Sequence, residues 1–217
     1  MYAMITSRCN MHCNHCCNDC SEQGEDMSLE TFQKVCDLVS ALEINLSLGG
    51  GEPTLHPQFW QFFGLALKAT AGNEIGVFVA TNGSIEDSAV ALAQLAQKGV
   101  LCCRLSIDQF HDVGMVSDRV SLAFSSGKKI YSYGSTPGHD YREVVKDSIY
   151  QSATGRASSW GTEFCVCEDI VVEPNGRMFS CGCRVECVGD IHDPESYANV
   201  DWYEEHRCAR FGRAEEK

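Results

Sequence analysis

Residues 44–83 read INLSLGGGEPTLHPQFWQFFGLALKATAGNEIGVFVATNG, and the reading of this stretch decides the fold. Ile44 to Leu48 is an apolar run of strand length that ends in Gly49-Gly50-Gly51-Glu52-Pro53. Residues 57–71, rich in Phe, Leu and Ala, predict a helix, and Ile75 to Ala80 predict a second strand ending in Thr81-Asn82-Gly83. Strand, helix and strand at this spacing make a βαβ unit, whose strands lie parallel with a right-handed crossover.

The alternation continues on both sides. Tyr2 to Thr6 predict a strand followed by a cysteine-rich loop. Then Phe32, Val35, Cys36, Leu38, Val39 and Leu42 recur at helical spacing behind Ser28 as N-cap, which predicts a helix over 29–43. Residues 85–98 predict a further helix closed by Gly99, and Val100 to Ile107 a strand that ends at Asp108. Beyond it the spacing predicts a short helix over 113–126, a strand from Ile130 to Tyr133 and a helix from Arg142 to Tyr150. Glu168 to Glu173 and Arg177 to Ser180 predict a hairpin turned by Asn175-Gly176 at positive φ. The class is α/β, and its working residues are expected at the C-terminal ends of the strands.

The chain has 217 residues, 44% hydrophobic and 22% charged, a globular composition that excludes a disordered tail protein. Length favours one main domain, 1–156, with a smaller region, 157–217. No apolar run reaches the roughly 20 residues of a membrane span, and no basic-then-apolar leader precedes Cys9, so a cytoplasmic protein without membrane contact is expected. The net charge of −13 opposes non-specific binding to phosphate backbones. It is uneven: −8 over 1–97, +2 over 98–156 and −7 over 157–217.

The 14 cysteines are the anomaly, and without an export signal their clustering points to metal. Cys9, Cys13 and Cys16 present three thiolates on a short loop, enough for three corners of an iron–sulfur cube with one iron left open. The alternative at this point is a zinc site on Cys13, Cys16, Cys17 and Cys20. Cys36, on an apolar helix face, reads as a buried thiol. Cys102 and Cys103 lie in a strand and point to opposite faces, so that one is a candidate hydrogen-atom donor.

The sequence resembles the radical S-adenosylmethionine (SAM) superfamily. The resemblance rests on Cys9-x3-Cys13-x2-Cys16 after the first strand, Gly49 to Pro53 after the second, Thr81-Asn82-Gly83 after the third and Ser106-Ile107-Asp108 after the fourth. It implies a partial (β/α) barrel with a small C-terminal β-hairpin and cysteine-rich extension, and a [4Fe–4S] cluster on Cys9, Cys13 and Cys16. SAM would chelate the open iron, and its reductive cleavage would release a 5′-deoxyadenosyl radical. Gly50, Gly51 and Glu52 would meet the SAM amino group, Asn82, Ser106 and Asp108 would be polar contacts, and His15 would stand near adenine. An external one-electron reductant of flavodoxin or ferredoxin type is implied.

Cys165 and Glu173 to Cys181 resemble the auxiliary-cluster region called SPASM or its shorter relative called twitch, and Gly155-Arg156-Ala157 resembles a stretch just upstream of it. The resemblance implies a second [4Fe–4S] cluster, with Cys165, Cys181, Cys187 and Cys208 as expected ligands and Cys167 and Cys183 as substitutes, and adds Arg156 to the cofactor-binding residues. A zinc-stapled hairpin is the alternative. Relatives of this kind mostly modify peptides or proteins, which makes that the first substrate class. A nucleobase in tRNA or viral DNA is the second, suggested by the basic middle segment. A non-catalytic iron–sulfur or zinc-binding module is the reading of another class. His111 and His139 are candidate acid–base residues near the expected mouth.

Overall fold

The computed structural model describes residues 1–71, 76–125, 140–146, 155–160 and 170–200. Its order is β1 (Tyr2–Thr6), α1 (Leu29–Leu42), β2 (Leu46–Gly50), α2 (Phe59–Ala69), β3 (Val77–Thr81), α3 (Glu86–Gln97), β4 (Cys102–Ser106), α4 (Asp118–Phe124), β5 (Arg142–Val145), β6 (Val171–Val172), β7 (Arg177–Phe179) and β8 (Cys187–Asp190). Eight strands form one open sheet in the order β5-β4-β3-β2-β1-β6-β7-β8. Strands β1 to β6 pair parallel, and β7 and β8 antiparallel. This is the α/β, partial-barrel architecture expected, and no described helix is long and apolar enough to cross a membrane.

Local chemistry explains the elements. Ser28 caps α1 by accepting from the Thr31 N–H at 3.0 Å, and Glu43 ends it in the left-handed region at φ 53°. The helix buries Phe32, Val35, Cys36 and Val39, and Phe32 stacks on Phe62 of α2 with ring centroids 4.2 Å apart. Glu86 and Asp87 place negative charge in the first turn of α3, where the helix dipole favours it. Parallel strands covered by helices give one apolar core, which also takes in Val172, Met178 and Ile191 from the C-terminal strands.

Three expectations are corrected. Arg142 to Val145 form strand β5, not the start of a helix, because Val144 and Val145 pair with Leu105 and Ser106 of β4 and tertiary pairing overrides local spacing. Residues 113–126 divide into a 3-10 turn (Val113–Met115) and α4, with Ser117 as the new cap. In the hairpin only Gly176 has positive φ, 94°, while Asn175 accepts from the Arg177 N–H, so the turn is not a two-residue one. The strand expected over 130–133 lies outside the described residues.

Candidate active site

The site is built where β1 to β4 end. Their loops surround a cavity of about 400 Å³, lined by Cys9, Cys13, His15, Cys16, the glycines 49–51, Glu52, Asn82, Ser106, Asp108 and His111. Residues from four separate strand ends thus share one wall.

The cysteine loop is closed at its base by backbone bonds: Ser7 N–H to Glu25 O and Cys9 N–H to Ser21 O, each 2.8 Å. Cys9, Cys13 and Cys16 are half-buried. A hydrogen bond from Cys20 brings the Cys16 thiol down to about 5, against the effect of burial. Burial raises Cys9, and burial together with the neighbouring Cys9 and Cys16 charges raises Cys13 to about 11. Cys9 and Cys13 each feel the charge of a neighbouring thiolate, and three soft sulfur donors on one cavity wall are a donor set that a metal cluster satisfies. The residues therefore fit an iron–sulfur cluster.

The glycine run allows close backbone approach. Gly50 has φ 121°, and a Cβ there would lie 1.9 Å from Thr6 O; at Gly51 it would lie 2.0 Å from Arg8 O. The Gly50 N–H donates to the Tyr2 hydroxyl at 2.5 Å, and Asn18 Nδ2 donates to Gly50 O at 3.1 Å. Glu52 is 1% exposed and its oxygens accept from Thr54 N, Thr54 Oγ1, Thr81 Oγ1 and Asn82 N. Its carboxylate braces the end of β2 against the end of β3, while burial pushes its pKa up.

Asn82 reaches back to the cysteine loop through Asn10 Oδ1 at 3.1 Å. Opposite it, buried Asp108 accepts from His111 Nδ1 at 2.7 Å and from the Phe110 N–H at 3.0 Å. His15 stacks on Phe110 at 4.6 Å, with Nε2 3.7 Å from Asp108 and Nδ1 buried without a hydrogen-bond partner among the described residues. Burial lowers the His15 pKa, so the ring favours its neutral form.

Other residues named from the sequence fall elsewhere. Arg156 lies behind the cysteine loop, donating to Cys13 O and Cys20 O. Cys103 is packed in the core, and neither it nor Cys102 lines the cavity. Cys181 and Cys183 are buried and Cys187 is exposed, with Gly182 on the cavity wall. His139, Cys165, Cys167 and Cys208 lie outside the described residues. Sequence reasoning did not single out Tyr2, Asn18 or Phe110. Strand alternation carries a signal for Tyr2, on the same face as Met4, but no signal marks Asn18.

The family model for the radical SAM superfamily matches residues 4–146. The mycofactocin maturase MftC of Mycobacterium ulcerans (strain Agy99) is 30% identical over 106 residues, 48% of this chain and 27% of that protein. The tungsten-containing aldehyde ferredoxin oxidoreductase cofactor-modifying protein of Pyrococcus furiosus is 34% identical over 112 residues, 50% of this chain and 30% of that protein. The chain thus matches less than a third of the length of either relative. Among solved structures, BtrN in complex with AdoMet and 2-DOIA aligns with TM-score 0.57 and 17% identity over 88% of this chain and 77% of that one. Native anSMEcpe with bound AdoMet and Kp18Cys peptide aligns with TM-score 0.56 and 16% identity over 92% and 80%, a likeness of fold.

Proposed function

The chain belongs to the radical SAM superfamily, and from that premise we propose that Cys9, Cys13 and Cys16 hold its [4Fe–4S] cluster and that it abstracts hydrogen from a peptide or protein during modification. It is a radical SAM enzyme and uses SAM and a cysteine-held [4Fe–4S] cluster. When bound, that pair supplies a 5′-deoxyadenosyl radical after one-electron reduction. The carrying observation is convergence: three cysteines, a glycine-rich strand end, Asn82, Ser106 and Asp108 face one cavity.

The chain's own residues divide the work. Three thiolates leave a fourth corner open, and Gly50 and Gly51, by letting the end of β2 close on Thr6 and Arg8, keep their main chain on the cavity wall. His15, flat on Phe110, offers an aromatic face to a nucleobase, and Asp108 holds His111 at the wall. Asn82 and Ser106 offer polar groups to ribose or carboxylate. We assign an auxiliary cluster to Cys165, Cys181, Cys187 and Cys208, with Cys167 and Cys183 as substitutes. Its support is the cysteine-bearing segment that puts Gly182 on the cavity wall. A flavodoxin- or ferredoxin-type protein is the proposed electron donor.

The peptide reading is supported by a solved neighbour with a bound peptide and by a maturase among the relatives. The nucleic-acid reading has less support, because the arginines of the basic segment are engaged. Arg104 binds Glu143, Arg119 binds Glu86 and Asp87, and Arg142 binds Asp140.

Iron and acid-labile sulfide per chain, measured in anaerobically purified enzyme and in a variant with Cys9, Cys13 and Cys16 all changed to Ala, test the assignment. Two cubane clusters predict roughly eight iron in the wild type and about four in the variant. Dithionite and SAM should yield 5′-deoxyadenosine only from the wild type. Zinc in place of iron overturns the assignment; loss of all iron in the variant keeps the radical site and removes the auxiliary cluster.

A further inference from the structure

The cysteine loop is gripped from behind. Arg156 Nε donates to Cys13 O at 2.9 Å, and its two terminal nitrogens donate to Cys20 O at 3.2 and 3.1 Å. Ala157 N–H reaches Cys16 O at 3.3 Å, and Arg184 Nη2 donates to Cys17 O at 3.0 Å. Four carbonyls of one short loop thus accept from donors far along the chain, on residues 156, 157 and 184. Gly155 makes the approach possible: at φ 60°, a Cβ there would lie 2.4 Å from Cys16 O.

Neither arginine is a loose surface group, their side chains being 18% and 16% exposed. Arg184 is itself held in the left-handed region at φ 51°, uncommon for a residue with a side chain. Its N–H donates to Cys181 O at 3.0 Å while its guanidinium reaches Glu173, Met4 Sδ and Cys17 O. It therefore ties the C-terminal cysteine segment directly to the loop of Cys9, Cys13 and Cys16.

Resting on the cluster assignment above, we propose that Arg156 and Arg184 are positioning residues that pre-form the cysteine loop from its C-terminal side and raise the reduction potential of the cluster it holds. A forked guanidinium bonded to two carbonyls fixes the loop's shape in a way a point charge does not. Arg156 also pairs with Asp19 at 2.8 Å, but that carboxylate is 66% exposed and screened by water. The 18% exposed guanidinium still places positive charge beside an anionic cluster and favours its reduced form, since cluster potential follows local charge, hydrogen bonding and exposure. The electron that cleaves SAM enters that cluster, so both effects bear on the reaction without either side chain lining the cavity.

The test compares reconstituted wild type with Arg156→Gln, Arg156→Lys and Arg184→Gln, reading iron content and the midpoint potential by EPR-monitored titration with SAM present. Both Gln variants should titrate at a lower potential, and Arg156→Lys should recover the potential while retaining less iron, because an ammonium lacks the planar fork that meets Cys13 O and Cys20 O from separate nitrogens. Unchanged potential and iron in both Gln variants overturn the proposal; a Lys variant as low in potential as Gln overturns its charge component. Should Arg156→Gln fail to fold by circular dichroism, Arg184→Gln and Arg156→Lys carry the same comparison. Absence of iron from the wild type would instead overturn the cluster assignment, so the two failures are distinguishable.

Discussion

Burial pushes the Cys36 thiol up to about 12, and burial with the Glu52 and Cys102 charges raises Cys103 as well. Both thiols should stay unmodified by iodoacetamide at pH 8 in the native chain and react fully once it is unfolded, as peptide mass spectrometry would show. Rapid native labelling of Cys103 would mean that β4 is not packed as described. Cys36 was readable from helical spacing. Cys103 was not, because alternation says only that Cys102 and Cys103 oppose each other, and the packing of α3 decides which face is core. Glu52 makes the same point: Thr81 and Asn82 were legible as a strand-end motif, but their bonds to Glu52, about 30 residues away, were not. Glu52→Ala strands four donors, and at about 1–3 kcal/mol for a buried unsatisfied group it should cost more than about 2 kcal/mol in urea unfolding of the metal-free chain. Glu52→Gln should recover part of that loss.

Phe62 is fully buried between α1 and α2, stacked on Phe32 and 4.4 Å from the His56 ring. Phe62→Ala should lower unfolding free energy by about 3–5 kcal/mol, whereas Leu122→Ala, on the 74% exposed side chain of α4, should change it by about 0.5 kcal/mol or less. Equal effects in denaturant titration would refute the helix packing. Helices α1 to α3 were legible within about two residues because an amphipathic stripe is a local property. Residues 142–145 were misread for the opposite reason: a four-residue strand has too little periodicity of its own, and its partner β4 makes it.

The C-terminal strands are not a separate layer but continue the main sheet, with Tyr2 and Ala3 of β1 paired to Val171 and Val172 of β6. Val172, Met178 and Ile191 share the core with Ala3, Ile5 and Phe32. A fragment of residues 1–156 should therefore aggregate, since it exposes the β1 edge and part of the core, whereas the full chain should remain monodisperse by light scattering. A monodisperse, cooperatively unfolding fragment would show instead that 1–156 is an independent domain.

Chemistry-bearing loops at strand ends were readable from residue order, because parallel βα units send every such loop to the same edge. Cys9, Cys13, Cys16, Gly50, Asn82, Ser106 and Asp108 could be named for that reason. Their mutual support could not: the Glu52 brace, the Tyr2 and Asn18 contacts to Gly50, the His15–Phe110 stack and the arginine grip on the cysteine loop join residues distant in sequence. Such contacts depend on long-range packing that spacing does not encode, and they exist only once the sheet has brought its strand ends together.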